Sequence, residues 1–430
     1  MALTGRLAAA ALIGTLVVAL VGSGWAVLAV DGLLLVGVVV DLALAGSVRS
    51  LRLSRSGDSV VRLGEAAEVT LRVSNPSGRR VHGVVRDAWP PSAGVARTRA
   101  PLDLPAGERR ALVTTLVPTR RGDRVADRVT IRSYGPLGLA ARQGSHAAPW
   151  RVRALPPFTS RKHLPSKLAR LRDLDGRTAV LQRGQGTEFD SLREYVPGDD
   201  VRSIDWRATA RAGDVVVRTW RPERDRHVLL VLDTGRTAAG RVGDAPRLDA
   251  AMDAALLLAA LATRAGDRVD FVAHDRVLRA AVQGRSTTEL LPSLVQAMAP
   301  IDAQLVEPDW EAIAAEIMRR APRRSLVVLL TALDPSPVEH GLMPVLPRLT
   351  RRHRVLLASV ADPRVAELAA GRGDTEAVYG AAAGAKTSLD RVRVAAALAR
   401  TGVTVVEGSP DALPPRLADA YLALKAAGLL

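Results

Sequence analysis

At 430 residues, 48% of them hydrophobic and none of them cysteine, the chain is long enough for two or three domains and excludes a disulfide framework, a thiolate zinc site and a thiol nucleophile. Its formal charge of +16 invites a polyanion, but the arginines are interspersed with acids and alanines along the whole chain. Aromatic residues, at 3%, are too scarce for a base-stacking platform, so no nucleic-acid partner is expected.

From Leu7 to Gly46 the only ionisable side chains are Asp31 and Asp41. A break at Gly22-Ser23-Gly24 divides this run into Leu7 to Val21 and Trp25 to Ala45, and a span needs roughly 20 apolar residues, so residues 1–47 read as a transmembrane α-hairpin in the lipid bilayer. The rival is a cleaved signal peptide, with Arg6 as its basic region, followed by a single span. Arg49, Arg52 and Arg55 follow the second segment, and basic flanks stay cytoplasmic, so both hairpin ends and the soluble domains are expected on that side. Asp31, inside the second span, is a candidate functional carboxylate beside the plainer reading of a helix-end acid.

Residues 48–155 carry short β-rich runs, among them Glu68 to Val73, Val81 to Val85, Ala111 to Val117 and Val129 to Arg132. They are separated by turn residues such as Asn75-Pro76-Ser77-Gly78 and Gly135-Pro136-Leu137-Gly138. This pattern predicts an all-β sandwich, a spacer or interaction module without a catalytic constellation. Residues 156–224 form a connector. From 225 to 430, strands alternate with helices: His227 to Asp233, Arg268 to Ala273, Ser325 to Leu330, Val355 to Val360 and Val403 to Val406 are strands. Leu248 to Arg264, Thr288 to Met298, Asp309 to Arg320 and Ala412 to Ala427 are helices. The fold class is thus multidomain, ending in a doubly wound α/β domain.

The connector holds the most specific stretch, running from Gly186 through Phe189, Arg193, Tyr195, Pro197-Gly198-Asp199-Asp200, Arg202 and Asp205-Trp206 to Arg211. This stretch closely resembles the signature of the domain-of-unknown-function 58 family, and weaker similarity continues to the closing Tyr421-Leu-Ala-Leu-Lys-Ala-Ala-Gly428. Read residue by residue, Val196 to Asp199 and Arg211 to Asp214 are turns, and the interleaved acids and arginines suit bidentate pairs that would clamp the segment onto the α/β domain.

The resemblance implies a von Willebrand factor A-like domain whose metal loop is Asp-x-Ser-x-Ser, with a Thr and a second Asp from later loops, all hard oxygens suited to Mg²⁺. Here Asp233 and Thr237 match, Gly235 replaces the first Ser, Pro308 replaces the Thr, and Asp334 supplies the last Asp, so the site is degenerate and no cofactor is certain. The resemblance also implies a bacterial membrane protein working with a MoxR-type AAA+ ATPase, through a surface at the strand C-terminal ends near Asp233 and Asp334. No phosphate loop, His-Glu-x-x-His or Gly-x-Ser-x-Gly elbow is present, so an adaptor rather than an enzyme is expected. The alternative is an envelope-associated structural or cell-wall-binding protein with the opposite topology.

Overall fold

A computed structural model describes residues 1–181, 188–221, 226–284 and 288–430, and the chain divides into two units, Met1–Pro157 and Phe158–Leu430.

The first unit opens with β1 (Ala2–Leu3), α1 (Gly5–Val21) and α2 (Gly24–Leu44). Gly22, at φ 66, ends α1 in the left-handed conformation that glycine adopts without cost, which frees the chain to turn back. The two helices touch at Gly14, where an added Cβ would run into Val30. Among the described helices, α2 alone is long and apolar enough to cross a bilayer, and α1 is a shorter apolar helix of 17 residues.

Two sheets follow. The first takes β2 (Arg52–Gly57), β4 (Ala67–Ser74) and β7 (Arg109–Leu116) in the order β2-β4-β7. The second runs β1-β9-β8-β5-β6, with β5 (Val81–Asp87), β6 (Arg99–Leu104), β8 (Gly122–Tyr134) and β9 (Ala140–Leu155) antiparallel, and β3 (Val60–Arg62) parallel to β9. Strict alternation of buried and outward residues along β4 and β5 puts Leu71 and Val73 of one sheet into one core with Val85, Leu102, Val129 and Ile131 of the other. Arg55 does not flank the membrane run as an exposed base: its side chain is 1% exposed and pairs with Asp87, with a further bond to the Ala126 carbonyl at 3.2 Å and the Trp89 ring 5.4 Å away. Arg49 and Arg52 remain exposed.

The apolar helices are fastened to this sandwich. Asp41, fully buried near the end of α2, accepts N–H bonds from Leu137 (2.7 Å) and Leu139 (2.5 Å) in the β8–β9 turn and from Ala140 (2.9 Å) at the start of β9. The same turn receives the hydroxyl of Thr4, just before α1, on the Gly138 carbonyl at 2.6 Å, and Ala2 and Leu3 pair with Ala141 and Ala140. Gly135 is required there, since an added Cβ would collide with Asp41. Asp31, by contrast, is exposed on α2.

In the second unit a six-stranded sheet has the order β16-β15-β12-β17-β18-β19, from β12 (His227–Asp233), β15 (Arg268–His274), β16 (Leu278–Val282), β17 (Leu326–Leu330), β18 (Arg354–Val360) and β19 (Thr404–Gly408). Every pairing is parallel except that of the edge strand β16. Alternate residues of β12 go to opposite faces. Leu230 and Leu232 pack with α5 (Arg247–Arg264), α6 (Leu290–Met298) and α12 (Leu413–Ala426), while Leu229 and Val231 pack with α7 (Trp310–Arg320), α9 (Met343–Thr350) and the end of α11 (Thr375–Arg400). This is a doubly wound sheet. A small hairpin, β13 (Arg241–Val242) and β14 (Ala245–Pro246), leads into α5, one turn of helix, α8 (Pro335–Pro337), follows β17, and α10 (Pro363–Ala369) precedes α11. Before the sheet, α3 (Leu164–Leu181) packs on α5. The hairpin of β10 (Glu188–Glu194) and β11 (Val216–Arg221) encloses the short helix α4 (Trp206–Ala212).

Candidate functional site

The signature stretch folds as a unit of its own. Asp205 caps α4, accepting from the N–H groups of Arg207 and Ala208 at 3.0 Å each, and its other oxygen takes Arg218 Nε at 2.8 Å. Arg193 reaches Asp199 at 2.6 Å, and Asp199 also accepts the Val196 N–H at 3.0 Å, closing the Pro197-Gly198 turn, where Gly198 has φ 109. Asp200 accepts the N–H of Arg202 at 2.9 Å. The Arg193 guanidinium holds the Asp199 carboxyl below the usual carboxylate range, and the Ala208 N–H together with Arg218 does the same for Asp205.

One of these ion pairs lies within the stretch and the other ties it to Arg218 of β11, so Asp199 and Asp205 are held inside the hairpin rather than clamped onto the α/β domain. The apolar side chains are what the stretch presents outward: Trp206 is 69% exposed, Val201 64% and Val196 55%. Tyr195 is half-buried, and Pro197, Arg202 and Arg211 are exposed. Gly186 lies outside the described residues, and Phe189 pairs in register with Trp220 across the hairpin.

At the C-terminal end of β12, Asp233 is 3% exposed. One of its oxygens accepts the Gly235 N–H at 2.7 Å, and the other takes the hydroxyls of Thr331 at 2.6 Å and Thr237 at 3.2 Å. Burial pushes this carboxyl above its ordinary range against those hydrogen bonds. Asp275, buried at the end of β15, is held below its ordinary range, because Arg279 at 2.7 Å, two backbone N–H groups and the Thr234 hydroxyl outweigh the burial. Asp334 pairs with Arg247 at 3.6 Å. Thr331 and Asp275 are the residues sequence reasoning missed; a hydroxyl directly after a buried strand was the available signal for the first. Among the described residues no three His, Asp or Glu side chains converge closely enough to hold a metal.

Residues 191–402 match the family model described as Protein of unknown function DUF58. The match begins inside β10 and takes in the signature stretch from Arg193 to Arg211 and the sheet through β18. Uncharacterized proteins of Mycobacterium bovis and Mycobacterium tuberculosis are 29% identical over 187 residues, covering 43% of this chain and 58% of theirs, so the matched part spans little more than half the length of those relatives. Among solved structures, the CARDB domain of a Pyrococcus furiosus protein is 21% identical, covers 24% of this chain and 86% of that one, and has a TM-score of 0.19. A beta-glucosidase from Listeria innocua is 16% identical, covers 23% and 16%, and has a TM-score of 0.15. At such scores neither likeness carries an argument.

The region that matches this model holds a second polar cluster, at the N-terminal ends of the strands. His227 lies between Asp270 (3.0 Å from Nε2) and Ser325 Oγ (3.0 Å from Nδ1), the connectivity of an acyl-transfer triad. The Ser325 hydroxyl, however, donates to the Arg323 carbonyl at 2.9 Å and its residue is 5% exposed, so the arrangement locks strands together and offers no reachable nucleophile. Beside it His353 is buried with neither ring nitrogen hydrogen-bonded, and burial, together with the nearby Arg352 guanidinium, pushes its pKa below the ordinary histidine range.

A histidine held neutral in the fold takes up its proton more readily when unfolded. Its stabilising contribution is therefore present above the unfolded value near ~6.5 and is lost as pH falls from there toward the folded one. Denaturant melts of the full chain are expected to show lower stability at acid pH than at pH 8, and His353→Leu to flatten that dependence by on the order of 1 kcal/mol. An identical slope in the variant would remove His353 as the cause.

Proposed function

We propose that this protein is a membrane-anchored adaptor in which the apolar helical hairpin fixes the chain in a bilayer and the signature hairpin of the DUF58 region docks a protein partner. The observation that carries the docking half is the exposure of Trp206, Val201 and Val196 on a stretch whose Asp199 and Asp205 are paired within the hairpin. Large apolar side chains held outward by a rigid, self-capped scaffold are a feature of interaction surfaces. The partner surface first expected at Asp233 and Asp334 is thereby moved, because Asp233 is buried.

The α/β domain is read as von Willebrand factor A-like, supported by its strand order and its single antiparallel edge strand. By family resemblance the partner is a MoxR-type AAA+ ATPase, which supplies the energy for assembly or chaperone-like work while this chain supplies anchoring and recognition without catalysis of its own. This reading keeps a multi-pass hairpin rather than a cleaved leader followed by one span, with the 17-residue α1 as a pass shorter than α2. Both helix ends then lie on one face of the bilayer, and the arginine flanks place that face in the cytoplasm.

The test is affinity capture of the detergent-solubilised protein, comparing wild type with Trp206→Ser plus Val201→Ser, alongside a reporter fused at Leu430. An AAA+ ATPase recovered with wild type, reduced at least tenfold with the variant, and a cytoplasmic reporter are expected; tenfold corresponds to ~1.4 kcal/mol, modest for a buried aromatic anchor. Equal recovery with both proteins would move the contact elsewhere. An external reporter would favour the envelope reading, and hydrolysis by the purified chain alone would overturn the adaptor reading.

A further inference from the structure

We infer that the strand-end cluster of the α/β domain carries its own cation, the Arg247 guanidinium, and takes no divalent metal. Arg247 is the first residue of α5, and its side chain is 17% exposed. Its Nη1 lies 3.6 Å from Asp334 Oδ2 and 3.3 Å from the Thr237 carbonyl, so one guanidinium joins the loop after β12, the start of α5 and the loop after β17. Thr237 in turn donates to Asp233. The three residues picked from the sequence as metal ligands are thus brought into one neighbourhood, and the positive charge that links them is a side chain.

Three further observations exclude a divalent ion from this place. Gly235 brings no side-chain oxygen, and none fits: an added Cβ would lie 2.9 Å from both Pro308 Cγ and the Val306 carbonyl oxygen and 3.0 Å from Asp233 Oδ1. Pro308, which occupies the position of the missing threonine, is therefore also what closes the loop against a serine at 235. Second, Asp233 has both oxygens engaged by donors of the chain, whereas a hard cation needs several oxygens turned toward it. Third, three other acids of these loops are each paired with an arginine: Asp275 with Arg279, Glu307 with Arg236 and Asp334 with Arg247. A metal set against Asp334 would meet the like charge of Arg247. Arginine suits the exchange, because its charge is permanent and its Nη1 reaches both the Asp334 carboxylate and the Thr237 carbonyl.

This inference concerns the site itself and does not depend on the docking proposal. It is tested on the full-length protein in detergent, by Mn²⁺ titration followed by electron paramagnetic resonance and by thermal melts in EDTA and in Mg²⁺. Wild type is expected to retain no Mn²⁺ at concentrations of about 1 mM, the weak end of oxygen-ligand sites, and to melt at the same temperature in both buffers. Arg247→Met is expected to lower the melting temperature by several degrees in either buffer, with Arg247→Lys recovering part of the loss. Saturable Mn²⁺ binding to wild type that Asp233→Asn or Asp334→Asn abolishes would overturn the inference, as would an Arg247→Met protein melting like wild type. If Arg247→Met does not fold, the wild-type titration and the Arg247→Lys melt decide it by the same criteria.

Discussion

Asp41→Ala is expected to release the apolar helices from the β-sandwich while leaving the six-stranded α/β sheet intact. The carboxylate is fully buried and accepts three backbone N–H bonds from the β8–β9 turn and the start of β9, with no other partner for them in α2. Each buried N–H left without an acceptor costs ~1–3 kcal/mol, so a combined loss of about 3–5 kcal/mol is expected, after allowing for some rescue by water at the edge of the turn. Asp41→Asn should recover only part of this, because one of its two atoms becomes a donor facing donors. The measurement is limited proteolysis of the detergent-solubilised full chain, with cleavage followed at the arginines flanking α2 and β9. Rapid cutting near Arg49 and Arg142 in Asp41→Ala, with an unchanged pattern in the α/β sheet, is the expected result. Protection equal to wild type would show that Thr4, β1 and the side-chain bonds of Arg142 and Arg79 to the carbonyls of Leu42 and Ala43 suffice without it.

Asp41 also marks where sequence reading stops. As one of two acids in an apolar run it was legible as an exception, like the exposed Asp31, but nothing local tells that Leu137, Leu139 and Ala140, almost a hundred residues away, offer three N–H groups to Asp41. Elements whose apolar residues recur at the period of their own secondary structure were read almost to the residue: His227–Asp233 matches β12, and Arg247–Arg264 begins one residue before the predicted helix. The 26-residue helix Thr375–Arg400 was missed. Its residues are mostly alanine, glycine and charge, so it carries no apolar stripe until Val394 and Leu398, and its close approach to α10 depends on Gly384, where an added Cβ would lie 2.8 Å from the Ala369 nitrogen. The signature stretch was legible as specific but its pairing was not, since alternating acids and arginines are equally compatible with pairing inward, outward or along the hairpin, where Arg193–Asp199 and Arg218–Asp205 lie. The degenerate metal loop was visible in the sequence through Gly235 and Pro308. That the missing charge is supplied by Arg247 was not, since it sits at the start of the next helix.

The closing motif of the chain makes the last expected result a large one. Tyr421 and Lys425, one turn apart on α12, both reach Asp267, which precedes β15: the tyrosine hydroxyl donates to one oxygen, and the ammonium lies 3.0 Å from the other and 3.2 Å from the Ala265 carbonyl. All three side chains are buried, with Lys425 8% exposed. Asp267→Ala would leave an ammonium and a hydroxyl in the interior without their anion, and breaking a buried pair from one side costs about 3–5 kcal/mol. Tyr421→Phe removes one neutral donor and should cost only ~1–2 kcal/mol. Because most of the Asp267→Ala penalty comes from the stranded lysine rather than from the lost attraction, the double variant Asp267→Leu with Lys425→Met should regain much of the stability. Urea unfolding of the full chain, combined with hydrogen exchange read in α12 and β15, separates these terms. A double variant no more stable than Asp267→Ala would mean instead that the pair itself, not its uncompensated half, holds the last helix on the sheet.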